Sequence, residues 1–216
     1  MLKKIIKERI KKFFFKFTQI GAPNYSYNLE PIQLAEIINS LEKVKSLDGS
    51  ICEIGVARGM TTRFICEYLS SINFRSEYYC IDTFSSFDKK DIQFEVEKRN
   101  KNRSELIGFS YNDYEVWKKN FKKFNFIKVI KKDVKNFNFK NIQPMKFVLL
   151  DVDLYLPTLS ALNSIKDNMT KGGILLVDDV SKNNSWDGAN QAFQEFVKTY
   201  SLKFKLVGKK CGIIEF

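Results

Sequence analysis

The stretch that most constrains this chain runs over residues 146–179, KFVLLDVDLYLPTLSALNSIKDNMTKGGILLVDD. An apolar run ends in acid, a helix-length segment follows, a Gly-Gly turn intervenes, and a second apolar run again ends in acid. Strand, crossover helix and strand in that order predict a parallel βαβ unit, hence an α/β sheet buried on both faces. Four carboxylates, Asp151, Asp153, Asp178 and Asp179, then fall where two buried strands stop.

The rest of the chain extends the alternation. SICEIG (50–55), EYYCID (77–82), FIKVIKKDV (126–134), MKFVLLDVD (145–153) and GGILLVDD (172–179) read as five strands. KFKLVGK with CGIIEF reads as a closing antiparallel hairpin. Pro31 opens an amphipathic helix carrying Leu34, Ile37, Ile38 and Leu41, and Asn112 is the expected cap of the helix DYEVWKKNFKKF. One doubly wound, Rossmann-like sheet of order 3-2-1-4-5-7-6 fits, with the last strand antiparallel. Its ligands are expected beyond the carboxyl ends of the strands. Glu53, Asp82, Asp133, Asp151 and Asp178 all fall on that rim.

After the first strand comes Glu53-x-Gly55-x-x-x-Gly59, with Thr61 and Thr62 opening the next helix. Strand, glycine turn and helix N-terminus let backbone approach a ligand closely. The spacing is neither GxGxxG nor a P-loop. Asp82, at the end of the second strand, is placed to accept the hydroxyls of a ribose, or is a surface turn residue. Asp133 could meet an adenine amino group or pair with its neighbouring lysines. Residues 83–112 show no strong periodicity and read as a mobile lid or an insertion.

Composition narrows the chemistry. The chain has no histidine, which removes imidazole acid/base catalysis and most transition-metal sites. A bound metal would have oxygen ligands and be a hard cation such as Mg²⁺. Several converging carboxylates raise one another's pKa, and a divalent cation relieves this. The alternative for Asp153 and Asp179 is helix N-capping. Cys52, Cys66, Cys80 and Cys211 form no CxxC pair and read as buried hydrophobes.

The net charge is +11, but residues 1–17 carry seven Lys/Arg against one Glu. With no nucleic-acid-binding motif, nucleic acid is not the expected substrate. Residues 1–28 are expected to form a basic amphipathic helix and a joint, and 29–216 the catalytic domain. The helix places Leu2, Ile5, Ile6, Ile10, Phe13, Phe14 and Phe17 on one face. It suits an anionic membrane surface, its own domain, or a homodimer mate. A cytoplasmic location is expected, peripheral at the inner face of the membrane if the helix binds lipid.

The acid-x-Gly-x-x-x-Gly turn is similar to the S-adenosylmethionine site of class I methyltransferases. Asp-Val-Asp-Leu-Tyr-x-Pro-Thr, Gly172-Gly173, Val-Asp-Asp and Trp186-x-Gly188-Ala189-x-x-Ala192-Phe193 together resemble the TylF/MycF/NovP (macrocin O-methyltransferase) family. That resemblance implies an S-adenosylmethionine- and Mg²⁺-dependent O-methyltransferase acting on a sugar or glycan hydroxyl, with a catechol or other vicinal diol as the alternative acceptor and an inactive binding protein as a third reading. It implies cofactor contacts at Glu53, Gly55, Gly59, Thr61, Asp82 and Asp133. Asp151, Asp178 and Asp179 would hold the metal, and Asp153 would be the general base or a further ligand. One departure is Val180, where the family commonly has an aromatic, followed by the polar run SKNNSWDG.

Overall fold

The computed structural model describes residues 2–182 and 184–216; Met1 and Asn183, the latter within the polar run after Val180, lie outside the described residues. Helix α1 (Leu2–Phe17) is followed by a single turn at Gln19–Gly21, then α2 (Pro31–Val44). Pro31 stands at the start of α2, where no amide donor is needed, and the Glu30 amide donates to Gln33 Oε1 at 2.8 Å. Strand β1 (Ser50–Ile54), α3 (Met60–Ser71), β2 (Tyr78–Asp82), α4 (Lys89–Arg99), α5 (Tyr114–Phe121) and β3 (Ile127–Lys131) complete the first half. The second half contains β4 (Met145–Leu150), α6 (Tyr155–Lys166), β5 (Met169–Val177), α7 (Gly188–Thr199), β6 (Phe204–Val207) and β7 (Cys211–Glu215).

The sheet has the expected order β3-β2-β1-β4-β5-β7-β6, with β7 antiparallel to β5 and β6. Register does the functional positioning. Ile54 lies beside Ile81 on one side and Leu150 on the other, and Leu150 lies beside Val177. The next residue on each strand therefore emerges at one level: Gly55, Asp82, Asp151 and Asp178. Alternate strand residues feed two cores. Phe147 and Leu149 meet α2, α3 and α5 through Ile37, Ile65 and Trp117. Val148 and Leu150 meet α6 and α7 through Leu162 and Phe196.

Three expectations are corrected. Residues 83–112 are not a structureless lid: α4 occupies their centre, capped by Asp88, whose carboxylate accepts the Lys90 amide at 2.9 Å. The helix escapes a search for apolar periodicity because the residues it buries are acids, Asp91 and Glu95. Asp113, not Asn112, caps α5, accepting from Val116 N at 2.8 Å. Finally, α1 does not pack its apolar stripe on its own domain, since none of its residues is buried.

Candidate active site

Gly55 and Gly59 are needed for different reasons. Gly55 has φ +85°, and a Cβ there would lie 1.7 Å from the Asp151 carbonyl oxygen. Only glycine lets β1 turn away while β4 passes so close. Gly59 has φ +87° and precedes α3, and a Cβ there would strike the Phe121 ring at 2.5 Å. Its role is packing against the aromatic floor behind the turn.

Asp82 clamps this turn. Its Oδ2 accepts from the amides of Val56 and Ala57 at 2.8 and 3.0 Å, and its Oδ1 from Phe84 at 2.6 Å. Three of about four carboxylate acceptor positions are thus used by backbone. Burial raises the Asp82 pKa, and the three amides oppose that shift. Glu53, 1 % exposed, accepts from the Tyr78 hydroxyl, and burial pushes its carboxyl up to about 7. Asp133 accepts from Lys135 N at 2.9 Å and lies 3.4 Å from Lys135 Nζ.

These groups border a cavity of about 580 Å³, which every predicted site residue lines except Gly59. Gly55, Val56, Ala57, Thr61, Asp82 and Asp133 line it beyond β1, β2 and β3; Asp151, Asp153, Asp178 and Asp179 line its acid end beyond β4 and β5. Phe87, Phe109, Tyr111 and Trp186 also line it. The Phe87 ring lies 5.3 Å from those of both Phe109 and Trp186, so the three form one connected panel.

The acid end rests on two left-handed residues, Asp153 (φ 63°) and Asp179 (φ 57°). Hydrogen bonds hold both turns: Asp153 O accepts from Ala189 N at 3.0 Å, and Asp179 O from Ser181 N at 2.8 Å. Neither side chain caps a helix. The residue before α6 is Leu154, without a side-chain cap, and the one before α7 is Asp187. Among the described residues, Asp151, Asp153 and Asp179 each offer an oxygen, all within 4.8 Å of one another. Such an all-oxygen donor set fits a hard divalent cation.

Asp178 is held differently. It accepts from Gln33 Nε2 at 2.7 Å and from Lys210 Nζ at 2.8 Å, and Lys210 also reaches Asp179 at 2.9 Å. Burial, and then the neighbouring carboxylates, push the pKa values of Asp151 and Asp153 well above the usual range. Burial followed by Asp179 raises Asp178 in the same sense. Burial lowers the Lys210 pKa, but Asp178 and Asp179 outweigh it and the net shift is upward. Gln33 and Lys210 carry no local motif. They come from α2 and the β6–β7 turn, and only the folded sheet brings them to the rim. Burial of all four cysteines raises their thiol pKa values, as expected of inert core residues.

The sheet order, the antiparallel β7 and the glycine turn at the β1–β4 switch define a class I S-adenosylmethionine-dependent methyltransferase. Residues 28–207 match the family described as Macrocin-O-methyltransferase (TylF), and the chain belongs to that family. It is an S-adenosylmethionine-dependent O-methyltransferase. Among solved structures it is similar to the O-methyltransferase NovP, at 18 % identity and TM-score 0.71, with 89 % of this chain and 82 % of that one covered. Similarity to CalS11, a calicheamicin methyltransferase, gives 16 % identity and TM-score 0.71, covering 99 % and 92 %. A putative methyltransferase from Streptococcus mutans in complex with SAH is 15 % identical with TM-score 0.53, covering 88 % and 99 %. No curated protein matches in sequence.

Proposed function

We propose that this enzyme methylates a sugar hydroxyl that has a second hydroxyl beside it, with Mg²⁺ or a similar cation at the acid end of the cavity. The observation that carries this reading is the carboxylate cluster sharing one cavity with the glycine turn. The similarity to CalS11, a TDP-rhamnose 3'-o-methyltransferase, supports a sugar acceptor. The aromatic panel suits the apolar C–H face of a sugar, and equally a planar catechol, which is the second reading.

Asp151 and Asp179 are the primary cation donors, each offering an oxygen within 4.8 Å of the other and of one from Asp153. Asp178, held by Gln33 and Lys210, adds negative charge from behind. A divalent cation there supplies charge that orients two adjacent hydroxyls and makes one of them more acidic. Asp153, whose oxygen belongs to the same cluster, is the proton acceptor, the role that the resemblance implies for it. The deprotonating hydroxyl oxygen attacks the sulfonium methyl, and the carbon–sulfur bond breaks to leave a neutral thioether. The hydroxyl proton goes to Asp153.

The test is to incubate enzyme, S-adenosylmethionine and Mg²⁺ with panels of nucleotide sugars, glycosides and catechols, reading a methyl increment by mass spectrometry. Activity that survives EDTA would remove the cation from the reading, and methylation of catechols alone would favour the second acceptor class. Asp153→Asn is expected to keep cofactor and Mg²⁺ binding while losing roughly a hundred- to ten-thousandfold in kcat. Asp151→Asn is expected to weaken Mg²⁺ binding measured by calorimetry. The opposite pattern would exchange the two roles.

A further inference from the structure

Helix α1 is amphipathic, yet no residue of it is buried. Leu2, Ile6, Ile10, Phe13 and Phe17 form the centre of one face, and all are at least half exposed within rounding, Phe17 reaching 73 %. At 3.6 residues per turn, Arg9 and Lys16 fall along one border of that face and Lys3 and Lys7 along the other. Lys4 and Lys11 lie further round. A single turn after the helix reverses the chain: Thr18 Oγ1 donates to Phe14 O at 2.8 Å, and Gly21 backs so closely onto α1 that a Cβ there would lie 2.5 Å from Phe15 Cα. The end of α1 is therefore firmly built, while its apolar face is left bare.

We infer that α1 is a docking surface for an anionic lipid bilayer, lying in the plane of the interface with Leu2, Ile6, Ile10, Phe13 and Phe17 toward the acyl chains. Charge selects this occupant. Basic residues on both borders reach up to phosphate headgroups while their stems extend the apolar footprint. A second copy of α1 fits poorly, since a shared seam would set Lys3, Lys7, Arg9 and Lys16 against like charges. The helix has one acid, Glu8, already paired with Lys11 at 3.1 Å. Crossing the bilayer is excluded on length: sixteen residues make a helix of about 24 Å, against roughly 30 Å of hydrocarbon. No described helix is long and apolar enough to span a membrane.

This inference does not depend on the acceptor or the cation, and its test reads no catalysis. The full chain is sedimented with vesicles of phosphatidylcholine alone and of an equimolar phosphatidylcholine–phosphatidylglycerol mixture. Binding is expected to the mixture, to weaken with added salt, and to be slight on phosphatidylcholine. Ile6→Glu with Phe13→Glu should abolish it with an unchanged thermal melt. Lys3→Gln, Lys7→Gln, Arg9→Gln and Lys16→Gln should each weaken it roughly fivefold. Equal binding to both vesicles would overturn the role of charge. Absence of binding would overturn the proposal outright. If the chain then self-associated and the double variant dissolved the assembly, the occupant would be a second copy.

Discussion

Glu53 lines the cavity as a buried carboxyl raised from 4.5 to about 7. A carboxyl raised on folding contributes its full stability below the unfolded value near 4.5 and loses it as pH climbs through about 7. Glu53→Gln keeps an acceptor for the Tyr78 hydroxyl and cannot ionise. It should match the wild type at the acid end and be more stable by roughly 3 kcal/mol above neutrality. Urea melts of both proteins across that range check this, and parallel curves would refute it. The position of Glu53 at a strand end was legible in the sequence, but its ionisation was not. That depends on Tyr78 from the neighbouring strand and on complete burial. Asp82 shows the same limit. Its place beside the turn was readable, but its use as a clamp on three backbone amides is a consequence of the parallel β1–β2 pairing.

Among the elements, α4 tests how much of the cavity wall depends on charge. Glu95 accepts from Arg99 Nη1 at 2.9 Å and from Tyr155 N at 2.7 Å, which ties α4 to the start of α6. Arg99 Nη2 also donates to Asp187 at 2.9 Å, and Lys101 Nζ reaches Asp187 at 2.7 Å. This network fastens α4 to the residue before α7 and next to Trp186 of the aromatic panel. Arg99→Met leaves Glu95 buried with less compensation and should cost roughly 3 kcal/mol. Hydrogen exchange should accelerate in α4 and around Trp186; a melt within error of the wild type would show that the network is not what holds the wall. Strands β2, β4 and β5 were legible because each is an apolar run ending in acid, and β1 because it runs into the glycine turn. Helix α4 was not, because its inward face is made of Asp91 and Glu95, whose partners are Lys135, the Tyr155 amide at the start of α6 and Arg99 of α4 itself. Gln33 escaped notice for a related reason: its bond to Asp178 spans 145 residues of chain.

For the whole molecule, the parallel register does most of the work. One set of strand pairings brings a glycine turn and an acid cluster to the wall of a single cavity, so fold and site were read together. The bare α1 and the Lys210 contribution lie outside that logic, one because it contacts little of the domain and the other because it arrives on the final hairpin. The two left-handed aspartates have a consequence for how such an enzyme can change. A side chain other than glycine at positive φ costs about 1 kcal/mol, less for aspartate than for most residues, and crowding of acids adds to that cost. Asp153→Gly should therefore melt at a higher temperature than the wild type in EDTA while losing turnover. A random library selected for heat resistance alone should drift to glycine or asparagine at 153 and 179, whereas one selected for methyl transfer should hold both acids, so that ancestry under the two pressures would diverge first at these two strand ends.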